Sequence, residues 1–545
     1  MNVDLPWWAS TTIYQIYPRS FMDSNGDGIG DLKGILSKLD YIQDLGFETL
    51  WISPFFSSPQ QDFGYDVSDY IAVAPEYGRL EDALELIQAV HARGMRVLFD
   101  LVLNHTSIQH PWFQESRSSR NNPRRDWYIW RQGRKGRPPN NWVSIPGGSG
   151  WHFDPPSGEY YFASFLPFQP DLNWHNPQVN GAMFAVIRFW LDHGVDGFRL
   201  DIFHSIFKDA HFRNNPFSFH YLPKDDRVGF FQQWKYTLNR PEVFELAREL
   251  RALLETYWPQ RMLVGEVFGS DQNVKRFLGD RRDGLNLIFL WELLDLKAKA
   301  GFLRDVVRHY QQHYPPPFIP VYVFGNHDRR RVLSRLGEDP QMAKLLAFFQ
   351  LTVRGVPVTY YGEEIGMLEG DIPDHLSLDP IGQRYKHIPA WVKDLLNLYT
   401  NRDGCRTPMQ WQAGPNAGFC PDSVTPWLPL HPNYRATNVQ AQAQDQASVL
   451  NTYKSLLKHR REHPALQSGT LQLLEGPHIS KDLLVYQREA QGETILVAIN
   501  FGKTPAAFPN PTASCRVLLS VGAGSPVVDA SIQLPPLSAV LLADG

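Results

Sequence analysis

The sequence predicts an α/β chain: a (β/α)8 TIM barrel interrupted by an inserted irregular subdomain and followed by a C-terminal all-β domain. Amphipathic helical stretches alternate with short apolar strands over some 450 residues, which argues for a parallel sheet wrapped by helices. No glycine-rich phosphate fingerprint follows an early strand, which favours a closed barrel over an open doubly wound sheet. Near residue 465 helical periodicity gives way to short strands, LLVYQRE, TILVAINF, RVLLSV and AVLLA. The expected boundaries are 1–103 for the first part of the barrel, 104–171 for the insertion, 172–464 for the rest of the barrel and 465–545 for a β-sandwich domain.

The first helix is expected through Leu32, Ile35, Leu36, Leu39 and Ile42, with Gly46 as its C-cap and FETLWIS (47–53) as the strand that follows. Leu80, Leu84, Ile87 and Val90 share a second helical face; Gly94 then precedes the strand MRVLFDLVL (95–103). Further strands are expected at VDGFRLD (195–201), RMLVGEVF (261–268), IPVYVFGNHD (319–328) and VPVTYYGEE (356–364). Residues 104–171, rich in Trp, Pro, Gly and Arg, carry no long periodic helix and read as a lid or pocket wall.

Of the 545 residues, 53 are basic and 57 acidic, and the net charge of -4 argues against nucleic acid or an anionic membrane as partner. Three cysteines cannot build a disulfide framework. The opening MNVDLPWW lacks a secretory pattern and no apolar run is long enough to span a bilayer, so a cytoplasmic location is expected.

In such a barrel the active site lies where strands end. Those ends carry Asn104 and His105, Arg199 and Asp201, Glu266, and His327 and Asp328. Carboxylates without a cysteine or histidine metal array suit glycosidic bond cleavage, in which one ionised carboxyl attacks and one protonated carboxyl donates. Asp201, two residues beyond Arg199 on one strand face, suits the nucleophile. Glu266, between Gly265 and Val267 with no basic neighbour in sequence, is expected in an apolar setting that suits the acid. Asp328 is left to hold sugar hydroxyls.

The motifs YQIYPRSF (14–21), YDVSDY (65–70), DLVLNH (100–105), GFRLD (197–201), GEVF (265–268), GNHD (325–328), YYGEEIGM (360–367) and RTPMQW (406–411) occur in order along nearly the whole chain. By them the chain resembles the α-amylase family of retaining glycoside hydrolases (family 13), in its oligo-1,6-glucosidase and α-glucosidase branch. The resemblance implies Asp201 as nucleophile, Glu266 as general acid/base and Asp328 as transition-state stabiliser, with the two reacting carboxyls about 5–5.5 Å apart. It implies Asp66, His105, Arg199 and His327 as the grip on the terminal glucose. It implies Arg402, or Arg406 in an alternative alignment, as the arginine that pairs with Asp66 and closes the pocket. A blocked pocket makes the enzyme exo-acting on short oligosaccharides or disaccharides. Transglucosylation or sucrose isomerisation through the same intermediate is the alternative.

DSNGDGIGD (23–31) offers oxygen ligands from Asp23, Asn25, Asp27, the Ile29 carbonyl and Asp31, which suits structural Ca²⁺. The resemblance supports that metal, with Mg²⁺ as a variant, and no organic cofactor is expected. In the family, Val after the nucleophile accompanies α-1,6 bonds and Ala or Thr α-1,4; here the residue is Ile202. Phe203 and Phe207 stand either on the aglycone side or in the core. A non-catalytic relative of amino-acid-transporter heavy chains would lack the acidic trio. A metal-dependent hydrolase would need more ligands than His105 and His327.

Overall fold

The computed structural model describes residues 6–224, 228–396, 398–511 and 515–544. Eight parallel strands close into a barrel. They are β1 (Ile13–Ile16), β2 (Thr49–Ile52), β3 (Arg96–Leu101), β4 (Gly197–Leu200), β5 (Met262–Gly265), β6 (Leu287–Leu290), β7 (Val321–Val323) and β8 (Val356–Tyr360). Neighbours follow chain order around the ring, and β8 pairs with β1 through Ile13 and Val358. All strand residues but Arg96 are buried, because the strands are covered on both faces; they therefore read as apolar runs, not as alternating patterns.

Local chemistry sets the helix limits. Asp31 caps the first helix, which breaks at Lys38 into Leu32–Ser37 and Leu39–Leu45. At the break the Ser37 hydroxyl bonds back to the Gly34 carbonyl, competing with the helical ladder. Gly46 ends the second piece at φ 102°, the left-handed C-cap expected of it. Asn176 and Asp339 cap helices Pro177–Asp192 and Pro340–Thr352, each with proline at the first helical position. Two barrel strands lack a sequence forecast: β1, hidden inside YQIYPRSF, and β6, which follows a helix of only eight residues (Asp271–Leu278).

Between β3 and Pro177 the chain forms a helix (Pro111–Ser118) and a three-stranded antiparallel sheet (Trp130–Arg131, Trp151–Asp154 and Glu159–Phe162). That sheet packs on its own aromatic core of Trp142, Trp151 and Phe162 with Ile129. The last stretch folds as a five-stranded and a three-stranded sheet around Leu483, Val485, Leu496, Phe508, Ile532 and Val540. Among the described residues no helix is long and apolar enough to cross a membrane. By its internal contacts the chain divides into two compact units, residues 51–92 with 96–289, and residues 1–50 with 93–95 and 290–545.

Candidate active site

The first unit contributes a buried ion cluster at the ends of β3, β4 and β5. Register places Asp100 beside Arg199, and Leu200 beside Gly265, so Asp201 and Glu266 leave adjacent strands at the same level. Arg199 is fully buried and engages three carboxylates. Its Nη1 donates to Asp100 Oδ1 (2.7 Å) and Asp201 Oδ1 (2.8 Å), and its Nη2 to Glu266 Oε2 (2.5 Å). Burial opposes its charge, but Asp100 and Glu266 outweigh that and hold the guanidinium well above its ordinary pKa. Trp51 Nε1 and the Tyr65 hydroxyl donate to the second oxygen of Asp100 (3.1 Å each), fixing it as the inner wall of the cluster.

The apolar setting expected for Glu266 is not found. Adjacency in sequence says nothing about the next strand, and β4 brings Arg199 onto the Glu266 carboxylate. The Ile202 N–H also donates to Glu266 Oε2 (3.2 Å), while Oε1 accepts no hydrogen bond from the described residues. Asp201 and Glu266 keep 6% and 7% exposure, so both remain open at one side of an otherwise closed cluster. Ile202 adopts φ 31°, a left-handed conformation that a β-branched residue rarely takes and that commonly marks a functional turn. Phe203 packs on Phe277, and Phe207 on Trp174 and His175; both belong to the core.

Asp66 and His105 flank this cluster through Tyr65. His105 Nε2 donates to the Tyr65 carbonyl (3.2 Å), and Asn104 Nδ2 donates to its Nδ1 (3.2 Å). Burial lowers the His105 pKa to about 4, so the ring is neutral. Asp66 accepts from the Ser58 hydroxyl and the N–H groups of Gln61 and Asp62, and burial raises its pKa to about 6.

The second unit contributes the segment beyond β7. Asp328 Oδ1 accepts from Arg402 Nη1 (3.0 Å) and Arg406 Nη2 (2.9 Å), and His327 Nε2 lies 3.2 Å from Oδ2. Partial burial opposes ionisation of Asp328, but His327 and the two guanidiniums outweigh it and hold the carboxyl well below its ordinary range. His327 is fixed by Gln15 Nε2 on its Nδ1 (2.8 Å), by stacking on Tyr17, and by Arg406 Nε on its carbonyl. Arg402, the assigned residue, and Arg406, the alternative, thus both reach Asp328. Arg402 is itself clamped by Asp379, through Nε (2.9 Å), Nη2 (2.7 Å) and its backbone N–H (2.8 Å).

Sequence reasoning missed Asp379 and Asp100. Asp379 shows in sequence only as the cap of the helix Pro380–Tyr385, while Asp100 lies in the quoted DLVLNH motif and gains its role from β-register with Arg199.

The 23–31 loop also belongs to the second unit. Asp23 accepts three backbone N–H groups, from Asn25, Gly26 and Gly28, and Asp31 serves Ser24 and the helix N-terminus at Gly34. Gly28 has φ 87° and no room for a side chain, since a Cβ would lie 2.3 Å from the Thr425 carbonyl. The donors are all oxygens, the chemistry a hard divalent cation prefers. The carboxylate oxygens of Asp23, Asp27 and Asp31 do not all lie within 4.8 Å of one another.

A family model described as the α-amylase catalytic domain matches residues 15–469. A probable α-glucosidase of Rhizobium meliloti (strain 1021) is 40% identical over 98% of this chain and 96% of its own length. An oligo-1,6-glucosidase of Parageobacillus thermoglucosidasius is 38% identical over 93% of this chain and 92% of its own. The crystal structure of an α-glucosyl transfer enzyme superposes with a TM-score of 0.89 at 38% identity, covering 99% of this chain and 100% of that one.

Proposed function

The chain belongs to the α-amylase family of glycoside hydrolases, and from that premise we propose that it is an exo-acting retaining α-glucosidase. It removes glucose from the non-reducing end of short α-glucosides. The observation that carries this reading is the shared guanidinium of Arg199, which keeps the Asp201 and Glu266 carboxyls side by side with Glu266 Oε1 unengaged. Asp201 attacks the anomeric carbon; Glu266 gives a proton from Oε1 to the departing oxygen and then takes one from water, which frees glucose with its configuration retained. Asp328, charged throughout the working pH range, binds sugar hydroxyls at the convergent strand ends of the barrel, with His327, His105, Asp66 and Arg402 or Arg406 completing the grip.

Maltose, isomaltose and sucrose supplied to the purified enzyme test the reading. Glucose release with initial retention is expected, and failure to cleave any α-glucoside refutes it. A second reading, transfer of the glucosyl group to a sugar hydroxyl, is favoured by the likeness to an α-glucosyl transfer enzyme; it predicts new oligosaccharides that accumulate as acceptor concentration rises. We also assign Ca²⁺ to the 23–31 loop, held by Asp23, Asn25, Asp27, the Ile29 carbonyl and Asp31, where it braces the first βα connection. Metal analysis should find about one ion per chain, lost on Asp27→Ala.

A further inference from the structure

Seven residues beyond Asp201, in the unit that carries the reacting carboxyls, the chain buries a lysine. Lys208 is 3% exposed. Its ammonium donates to Asn104 Oδ1 (2.8 Å) and to the Ser205 carbonyl, and it pairs with Asp171 Oδ2. One cation thus meets oxygens from the segment after β3, from the end of the 104–171 insertion and from the turn after Asp201. Asp171 is held from other sides as well, accepting the Ser164 N–H (2.8 Å) and hydroxyl (2.5 Å). Burial lowers the Lys208 pKa, and Asp171 opposes that loss of charge.

The direction of these hydrogen bonds reaches His105. An ammonium donates and cannot accept, so the Asn104 atom that faces it is the oxygen. The amide NH2 is thereby turned the other way, and its two hydrogens go to Asp171 Oδ1 and His105 Nδ1, each at 3.2 Å. A ring nitrogen that accepts carries no proton, so the neutral imidazole holds its proton on Nε2. The Tyr65 carbonyl, 3.2 Å from Nε2, requires the same tautomer. Without the cation the Asn104 amide is free to turn over and present its oxygen to Nδ1. Burial lowers the His105 pKa, while Asp171 raises it and Lys208 lowers it, so removing the ammonium leaves the carboxylate unopposed at the ring.

We infer that Lys208 is a positioning residue: through the Asn104 amide its ammonium holds His105 in the tautomer whose Nε2–H donates to a hydroxyl of the terminal glucose. The inference rests on the glucosidase reading, in which His105 belongs to the grip on that sugar. All three ammonium hydrogens go to protein oxygens, so Lys208 acts only through its neighbours. An effect passed through the Ser205 carbonyl to the turn after Asp201 would instead appear in kcat.

Two variants test it: Lys208→Met, and Lys208→Met/Asp171→Asn, which removes both buried charges together and guards against misfolding of the first. With 15N-histidine labelling, ring-nitrogen NMR reads the tautomer, and the His105 signals are those missing in His105→Gln. The wild type should show His105 neutral with its proton on Nε2, and both variants should lose that single pattern. KM for whichever of maltose, isomaltose and sucrose is cleaved should rise about tenfold, while kcat changes by less than about threefold. Added to His105→Gln, Lys208→Met should cost little more, since both act on one contact. A wild-type proton on Nδ1, an unchanged pattern in a folded variant, a loss in kcat at unchanged KM, or additive losses in the cycle overturns the inference while leaving the glucosidase reading intact. If the wild type turns over no α-glucoside, the glucosidase reading fails. The ring-nitrogen comparison, which needs no substrate, then still decides whether Lys208 sets the tautomer.

Discussion

In the unit built from residues 51–92 and 96–289 one guanidinium serves three carboxylates; in the other, one carboxylate, Asp328, serves two guanidiniums. The first arrangement leaves a surplus of negative charge beside the two open carboxyls. That surplus suits a site where an anomeric carbon turns cationic. The second pins one anion so firmly that it stays ionised, which suits holding hydroxyls. The same residue types serve different ends according to which sign is in the minority.

The largest effect that could break this contrast is on turnover. Asp201→Asn should lower kcat by about 10⁴-fold or more on every substrate, measured by glucose release, with circular dichroism unchanged. Glu266→Gln should cost about 10²–10⁴-fold on disaccharides and much less on aryl glucosides with good leaving groups, because only a poor leaving group needs its proton. Equal losses on both substrate types would remove Glu266 from the acid role. Arg199→Leu should destabilise by about 3–5 kcal/mol in urea unfolding, since it leaves buried carboxylates without their cation.

Acid should act in opposite directions on two sets of buried groups. Burial lowers the pKa values of His105, His110 and His204 to about 4, 3 and 3. The stability their neutral forms contribute is present above about pH 6.5 and is lost as pH falls through those values. Glu363, in the other unit, is raised by burial to about 8; its contribution is present below about pH 4.5 and is lost as pH rises through 8. Hydrogen exchange at pH 8 and pH 5 should therefore show protection falling on acidification around the three histidines and rising around Glu363. A change of one sign across the whole chain would contradict the contrast. On stability the effects are smaller: Asp328→Asn should cost about 1–3 kcal/mol in urea unfolding because Arg402 and Arg406 lose a shared counter-ion. Asp201→Asn should be near neutral, since Arg199 keeps two partners.

Six barrel strands were legible in the sequence because fully buried strands leave continuous apolar runs, and the same runs expose Asp201, Glu266 and Asp328 as carboxylates at strand ends. β1 and β6 were not, since neither follows a long amphipathic helix. The environment of Glu266 was misjudged for a physical reason: its charge partner comes from the neighbouring strand, and register is invisible along a single strand. Asp379 was hidden because an aspartate before proline reads first as a helix cap.

Glu266 has one oxygen tied to Arg199 and Ile202 and only the other at liberty. One lone pair must therefore both dispatch the departing alcohol and greet whatever replaces it. Water and a competing sugar queue at a single doorway, and the balance between cleavage and synthesis becomes a question of who stands there when the covalent ester opens.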